Sequence, residues 1–136
     1  MKTITVQNTI NRKVNQVWEL WTTPEHIKNW NFASPQWHCP KADHNLKVGG
    51  KLNYHMAAKD GSMAFDYTAT FTKLVPTELM EYKLDDGRKV TLSFTGNGDA
   101  TEVIETFEIE GENSIDMQRQ GWQAILDNFK KYVESN

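Results

Sequence analysis

One cysteine, Cys39, is the chain's whole supply, so no internal disulfide can form. The N-terminal stretch from Met1 to Asn8 lacks the apolar run of a signal peptide, and the two absences together predict a reducing, cytoplasmic setting. No segment approaches the ~18 consecutive apolar residues of a bilayer span. Basic charge is also scarce: 15 Lys and Arg stand against 18 Asp and Glu, a net charge of −3, whereas phosphate binding calls for a concentrated basic footprint. The basic clusters Arg12-Lys13 and Lys130-Lys131 read as solvated faces, and nucleic acid is not an expected partner. Repeats, low-complexity tracts and internal linkers are absent. What remains is a chain of 136 residues, the length of one domain, able to bury roughly two-thirds of the surface it exposes when unfolded. Aromatics are plentiful, with five Trp, six Phe and four Tyr, and they either fill the core or line a cavity.

The hydrophobic pattern orders this material. Ile4, Val6 and Ile10 share one parity across residues 3–10, a half-buried strand. Val14, Val17, Trp18 and Trp21 recur at helical spacing. Thr23, Pro24 and Glu25 supply a cap, a first-turn proline and an acidic residue for a second short helix carrying Ile27 and Trp30. Residues 31–50 lack periodicity and read as an ordered loop with an edge strand near 41–46. Leu52, Tyr54 and Met56 then alternate with polar neighbours. Asp60-Gly61 turns the chain, and Met63, Phe65, Tyr67, Ala69 and Phe71 complete a hairpin. Alternating runs follow at 78–84, 88–95 and 101–109, punctuated by Pro76, Asp85-Asp86-Gly87 and Asn97-Gly98-Asp99. From Ser114 to Glu134 one long helix is expected, capped by Asn113 or Ser114, with Gln118, Gly121, Trp122, Ile125, Phe129 and Tyr132 on one stripe. This order requires an antiparallel sheet covered on one face.

Four segments in this order carry a resemblance: Val17-Trp18, Thr23-Pro24-Glu25-His26-Ile27-Lys28-Asn29-Trp30, Val48-Gly49-Gly50-Lys51-Leu52, and Gly121-Trp122-Gln123-Ala124-Ile125-Leu126-Asp127-Asn128-Phe129. Over essentially its whole length the chain resembles the helix-grip proteins of the START / birch-pollen-allergen (Bet v 1, SRPBCC) superfamily, and within it the Hsp90 ATPase activator homologue-like branch. Trp37-His38-Cys39-Pro40 and Asp86-Gly87-Arg88-Lys89-Val90 resemble a sub-branch more closely still. The resemblance implies an α+β helix-grip fold: a curved antiparallel sheet of about six to seven strands, two short helices, and a long C-terminal helix gripping a hydrophobic cavity. Members include ligand carriers, polyketide-cyclase-like proteins and chaperone activators, so fold is better determined than function. The activator's name belongs to a two-domain co-chaperone, of which the resemblance here covers one domain, and a chaperone partner is not expected.

Several chemistries are set aside on the residues. Zinc needs three or four ligands, and the only local cluster is His38-Cys39 with Asp43 and His44, whose adjacent pair points opposite ways on an extended segment. No base can be assigned to activate Cys39, which reads as a small buried hydrophobe at a pocket edge. Gly49-Gly50 matches neither a phosphate loop nor a dinucleotide fingerprint. His26 and His44 are expected on the surface, and His55 falls outside the apolar parity of its strand. Two polar residues stand out. Glu105 shares the inward parity of Val103, Phe107 and Ile109, where a carboxylate is costly without a partner; a bulge or rim ion pair is the plainer alternative. Gln118 lies on the inward stripe of the last helix, unless the first turns overhang into solvent.

The expected function is therefore binding of a small hydrophobic or aromatic molecule, with no metal and no tightly held cofactor. Trp37, Tyr54, Phe65, Tyr67 and Trp122 are the expected walls, Gly121 the expected source of room, and His38, Glu105 and Gln118 the expected polar contacts. The rival is a cyclase- or hydrolase-type enzyme with His38 or Glu105 as general base on a polyketide-like substrate. A chaperone-associated module is a third alternative. Oligomeric state is left open, a homodimer being compatible with every version.

Overall fold

A computed structural model describes residues 2–136. Its elements run β1 (Thr3–Ile10), α1 (Val14–Thr22), α2 (Pro24–Ile27), β2 (Trp37–His44), β3 (Lys51–Ala58), β4 (Ala64–Val75), β5 (Leu79–Leu84), β6 (Lys89–Asn97), β7 (Ala100–Glu108) and α3 (Ile115–Glu134). The seven strands form one antiparallel sheet in the order β1-β7-β6-β5-β4-β3-β2. The α1–α2 pair thus carries the chain from one edge of the sheet to the other, and the meander brings it back. This is the α+β helix-grip fold that the sequence predicts.

Period-two patterning puts one apolar face inside. Ile4, Val6 and Ile10 of β1, Leu52, Tyr54 and Met56 of β3, Met80, Tyr82 and Leu84 of β5, and Val90, Leu92 and Phe94 of β6 are all buried. The β5–β6 and β6–β7 hairpins turn at Gly87 and Gly98, whose φ of +95° and +64° favour glycine. Register shifts between Phe71 and Lys73 in β4 and between His38 and Lys41 in β2 bend the sheet.

The edge strand β2 starts at Trp37, four residues before the strand expected at 41–46. Trp37 and His38 pair with Ala58 and Ala57, and pairing resumes at Lys41 opposite His55. Pro40 sits inside the shift, where an edge strand can dispense with its missing N–H. That irregularity hides the strand from a periodicity argument.

Helix α3 is clamped at one end only. Ser114 caps it, its side chain accepting from the Met117 N–H, and Asp116 lies in the first turn. In the C-terminal half, Leu126, Phe129 and Val133 are fully buried. Phe129 meets the rings of Trp21 and Trp30, each at 4.7 Å between centroids, and Asn8 of β1 donates from Nδ2 to the Leu126 carbonyl at 3.1 Å. The N-terminal half stands off. Met117 is 61% exposed, and a Cβ placed on Gly121 would meet nothing within 4 Å. Trp122 props this half away from the sheet, its ring stacked on Phe107 of β7 at 3.9 Å and 11°. No helix among the described residues is long and apolar enough to cross a membrane.

Candidate functional site: a cavity under the raised end of the last helix

A helix held at one end and propped at the other leaves space beneath it. That space is a cavity of about 400 Å³, within the roughly 300–1,000 Å³ that small-molecule sites occupy. Its floor is the inward face of β3, β4, β5 and β7, contributing Leu52, Tyr54, Met56, Phe65, Tyr67, Met80, Tyr82 and Glu105. Trp21 and Trp30 close one end, while Met117, Gln118, Gly121, Trp122 and Ile125 of α3 form the roof. Arg88, Glu110 and Asn113 also line it.

Of the residues expected from the sequence, Tyr54, Phe65, Tyr67, Glu105, Gln118, Gly121 and Trp122 meet here. Trp37 and His38 do not, which corrects that expectation. They begin the outermost strand, before its register shift, and Trp37 packs on Phe65 at 5.9 Å between ring centroids, outside the lining. Phe65 itself is 49% exposed. Sequence reasoning passed over Trp21, Trp30, Met80, Tyr82, Arg88, Met117 and Ile125 as wall residues. Parity marks Met80 and Tyr82 as inward, and helical spacing does the same for Ile125. The part played by Trp21, Trp30 and Arg88 depends on where the helical pair and the β5–β6 turn fall in space.

The polar groups of the cavity are almost all engaged. Gln118 is buried, which corrects the solvent-overhang alternative, but its amide serves the chain: Oε1 accepts from the Glu110 N–H at 3.0 Å, and Nε2 donates to the carbonyls of Glu110 and Asn113 at 3.1 and 2.9 Å. It therefore pins the segment between β7 and α3. Tyr67 and Tyr82 share a hydrogen bond of 3.0 Å between hydroxyls, and burial raises both phenols above their ordinary range. The Tyr54 hydroxyl lies 2.7 Å from Nδ1 of His44, and burial likewise raises that phenol. His44 was expected on the surface; it is half-buried behind the wall, and burial lowers its pKa. His26 is also half-buried, 2.6 Å from the Tyr132 hydroxyl, while His55 pairs with Asp66 at 2.9 Å. Arg88 donates from Nε to Asp86 at 2.9 Å. Cys39 is buried, with its thiol pKa raised by burial, which keeps it protonated rather than nucleophilic. Among the described residues no group of three His, Cys, Asp or Glu is placed to hold a metal.

Glu105 is the exception. It is 4% exposed, lines the cavity, and has no hydrogen-bond or ion-pair partner among the described residues, which disposes of the rim ion pair. Nor is there a bulge, because β7 pairs in regular register with β1 and β6 on both sides, Glu105 lying opposite Val6 and Leu92. Burial alone pushes its carboxyl up to about 8, so at neutral pH it is mostly protonated.

A curved sheet, a helix gripping it and an apolar cavity between the two define a helix-grip domain, a fold that commonly binds hydrophobic ligands. The family model described as Activator of Hsp90 ATPase homolog 1-like protein matches residues 11–134, and the chain belongs to that family. The AHSA1-like protein from Aeromonas hydrophila has a similar solution structure, with 42% identity, a TM-score of 0.92, and coverage of 98% of this chain and 93% of that one. Chr148 from Cytophaga hutchinsonii is 46% identical with a TM-score of 0.85 over the same shares of the two chains. CV1439 from Chromobacterium violaceum, at 19% identity, shares the fold over all of both chains with a TM-score of 0.89. A search of curated proteins finds no match.

Proposed function

We propose that the chain binds a small, hydrophobic, ring-bearing molecule between the sheet and the raised end of α3, as a carrier or sensor. The cavity of about 400 Å³ carries this reading: its walls are mostly apolar and aromatic, and Gly121 leaves open space in its roof. Rings with polar tips give a ligand both contact area and hydrogen-bond handles. A cyclase- or hydrolase-type reaction is the second reading. It is favoured by one observation, that Glu105 is buried at the cavity wall without a partner, where burial raises its carboxyl to about 8 and suits it to exchange a proton with a bound substrate. His38, which lies outside the lining, drops out of that role.

Trp21, Trp30 and Trp122 line the cavity, so occupancy is readable in tryptophan emission. Titration with a hydrophobic fluorescent probe or an aromatic polyphenol is expected to give saturable, one-to-one quenching at micromolar affinity, about −8 kcal/mol. Flat titrations across lipids, sterols and flavonoids overturn the proposal.

A further inference from the structure

The reading of the cavity as a ligand site leaves one side chain unexplained. Every other ionisable, phenolic or amide side chain that lines it has a protein partner: Tyr54 has His44, Tyr67 and Tyr82 have each other, Arg88 has Asp86, and Gln118 has the backbone of Glu110 and Asn113. Asn31 is engaged with the sulfur of Met56, and Glu110 with Asn113. Glu105 alone ends in open cavity space. A carboxyl taken out of water without a partner is costly, and a bound molecule can supply the missing one.

We propose that the occupant is an organic cation, a hydrophobic amine whose ammonium group sits against Glu105 and whose rings lie among the aromatic walls. This deepens the ligand-binding proposal and rests on it. Three observations select the cation. Tyr67 and Tyr82 line the same cavity as Glu105, and its charge acts on both phenols, so a cation held at the carboxylate is set among aromatic rings. The one cationic side chain of the wall, Arg88, is already engaged by Asp86, so it does not compete for Glu105. A carboxylate ligand, by contrast, would bring a further acidic group into a cavity that already holds Glu105 and Glu110.

The charged and titratable groups facing the site are Tyr54 from β3, Tyr67 from β4, Tyr82 from β5, Arg88 ahead of β6 and Glu110 after β7; those that α3 presents carry no charge. The phenols are raised by burial and stay protonated, so Glu105 is the group that titrates on binding. The proton balance follows. The amine arrives as its ammonium, Glu105 gives up its proton to buffer, and the bound state is an ammonium–carboxylate pair. With the empty site titrating at about 8 and the amine still almost wholly its ammonium, binding at pH 7 should release about 0.9 proton, and at pH 9 close to none. Affinity for the amine should accordingly rise about tenfold from pH 7 to pH 9.

The test is isothermal titration with a matched pair of probes, 2-(2-naphthyl)ethylamine and 2-(2-naphthyl)ethanol. Both are run at pH 7 and pH 9 in buffers of different ionisation enthalpy, on the wild-type chain and on Glu105→Gln. The amine is expected to bind with the proton release given above and to gain about tenfold at pH 9, while the alcohol stays level. Glu105→Gln should still bind the alcohol but lose the proton release and at least about tenfold in amine affinity at pH 9. Amine binding without proton release, or alcohol binding that weakens as pH rises through 8, overturns the cation and makes Glu105 a bystander or a neutral donor. Binding of neither probe by the wild-type chain overturns the ligand site itself.

Discussion

Replacing Glu105 with glutamine keeps the shape of the side chain and removes its proton equilibrium. In the native state burial raises the carboxyl to about 8, from an ordinary value of 4.5. A folded-state pKa above the unfolded one means that the native chain holds a proton which the unfolded chain has released throughout that interval. Stability therefore falls as pH rises from 4.5 and levels off above about 8, by 1.36 kcal/mol for each pH unit crossed and about 3–5 kcal/mol in all. Glutamine has no such loss. At pH 4.5 the two chains should melt within about 1–2 °C of each other, and at pH 8.5 Glu105→Gln should melt higher. With an unfolding entropy near 2.1 cal/mol/K per residue, each kcal/mol corresponds to about 3–4 °C for a chain of this length, so the gap should be on the order of 10 °C. The assay is a series of thermal melts by circular dichroism from pH 4.5 to 9 on wild type, Glu105→Gln and Glu102→Gln. Glu102 lies on the exposed face of the same strand, and its variant should track the wild type. If the Glu105→Gln and Glu102→Gln curves run parallel at every pH, Glu105 is hydrated and the reasoning fails.

Gly121→Leu should fill empty roof space, gain about 1 kcal/mol of helix propensity and hold or raise the melting temperature while abolishing probe binding. A loss of roughly 1–3 kcal/mol in the ligand-free variant would instead mean that the site is overpacked. Gln118→Ala should cost about 1–3 kcal/mol in urea denaturation, because the Glu110 N–H and the Glu110 and Asn113 carbonyls lose their partner. An unchanged midpoint would show that water replaces those bonds freely.

Much of the fold was legible because its rules are local. Strand β1 matches the residues read from the alternation of Ile4, Val6 and Ile10, and α3 starts where Ser114 offers a cap. Glu105 was legible as inward for the same reason: parity on a regular strand decides the face, and β7 has no bulge to reverse it. Trp37 and His38 show where such rules stop. They sit ahead of a register shift on an edge strand, and a shift of that kind leaves no periodic mark.

Gln118 separates two questions that the helical stripe runs together. Spacing shows that the side chain turns inward, but not what its amide meets; the bonds to Glu110 and Asn113 depend on how the chain folds back between β7 and α3. The cavity is of the same kind. Alternation and helical spacing determined which residues face inward, because those depend only on neighbours along the chain. How far α3 stands from the sheet was decided by contacts between residues distant in sequence: Phe129 against Trp21 and Trp30 at one end, Trp122 on Phe107 at the other. Whether inward-facing aromatics become filled core or the wall of a cavity is set by that separation, and only the tertiary structure contains it.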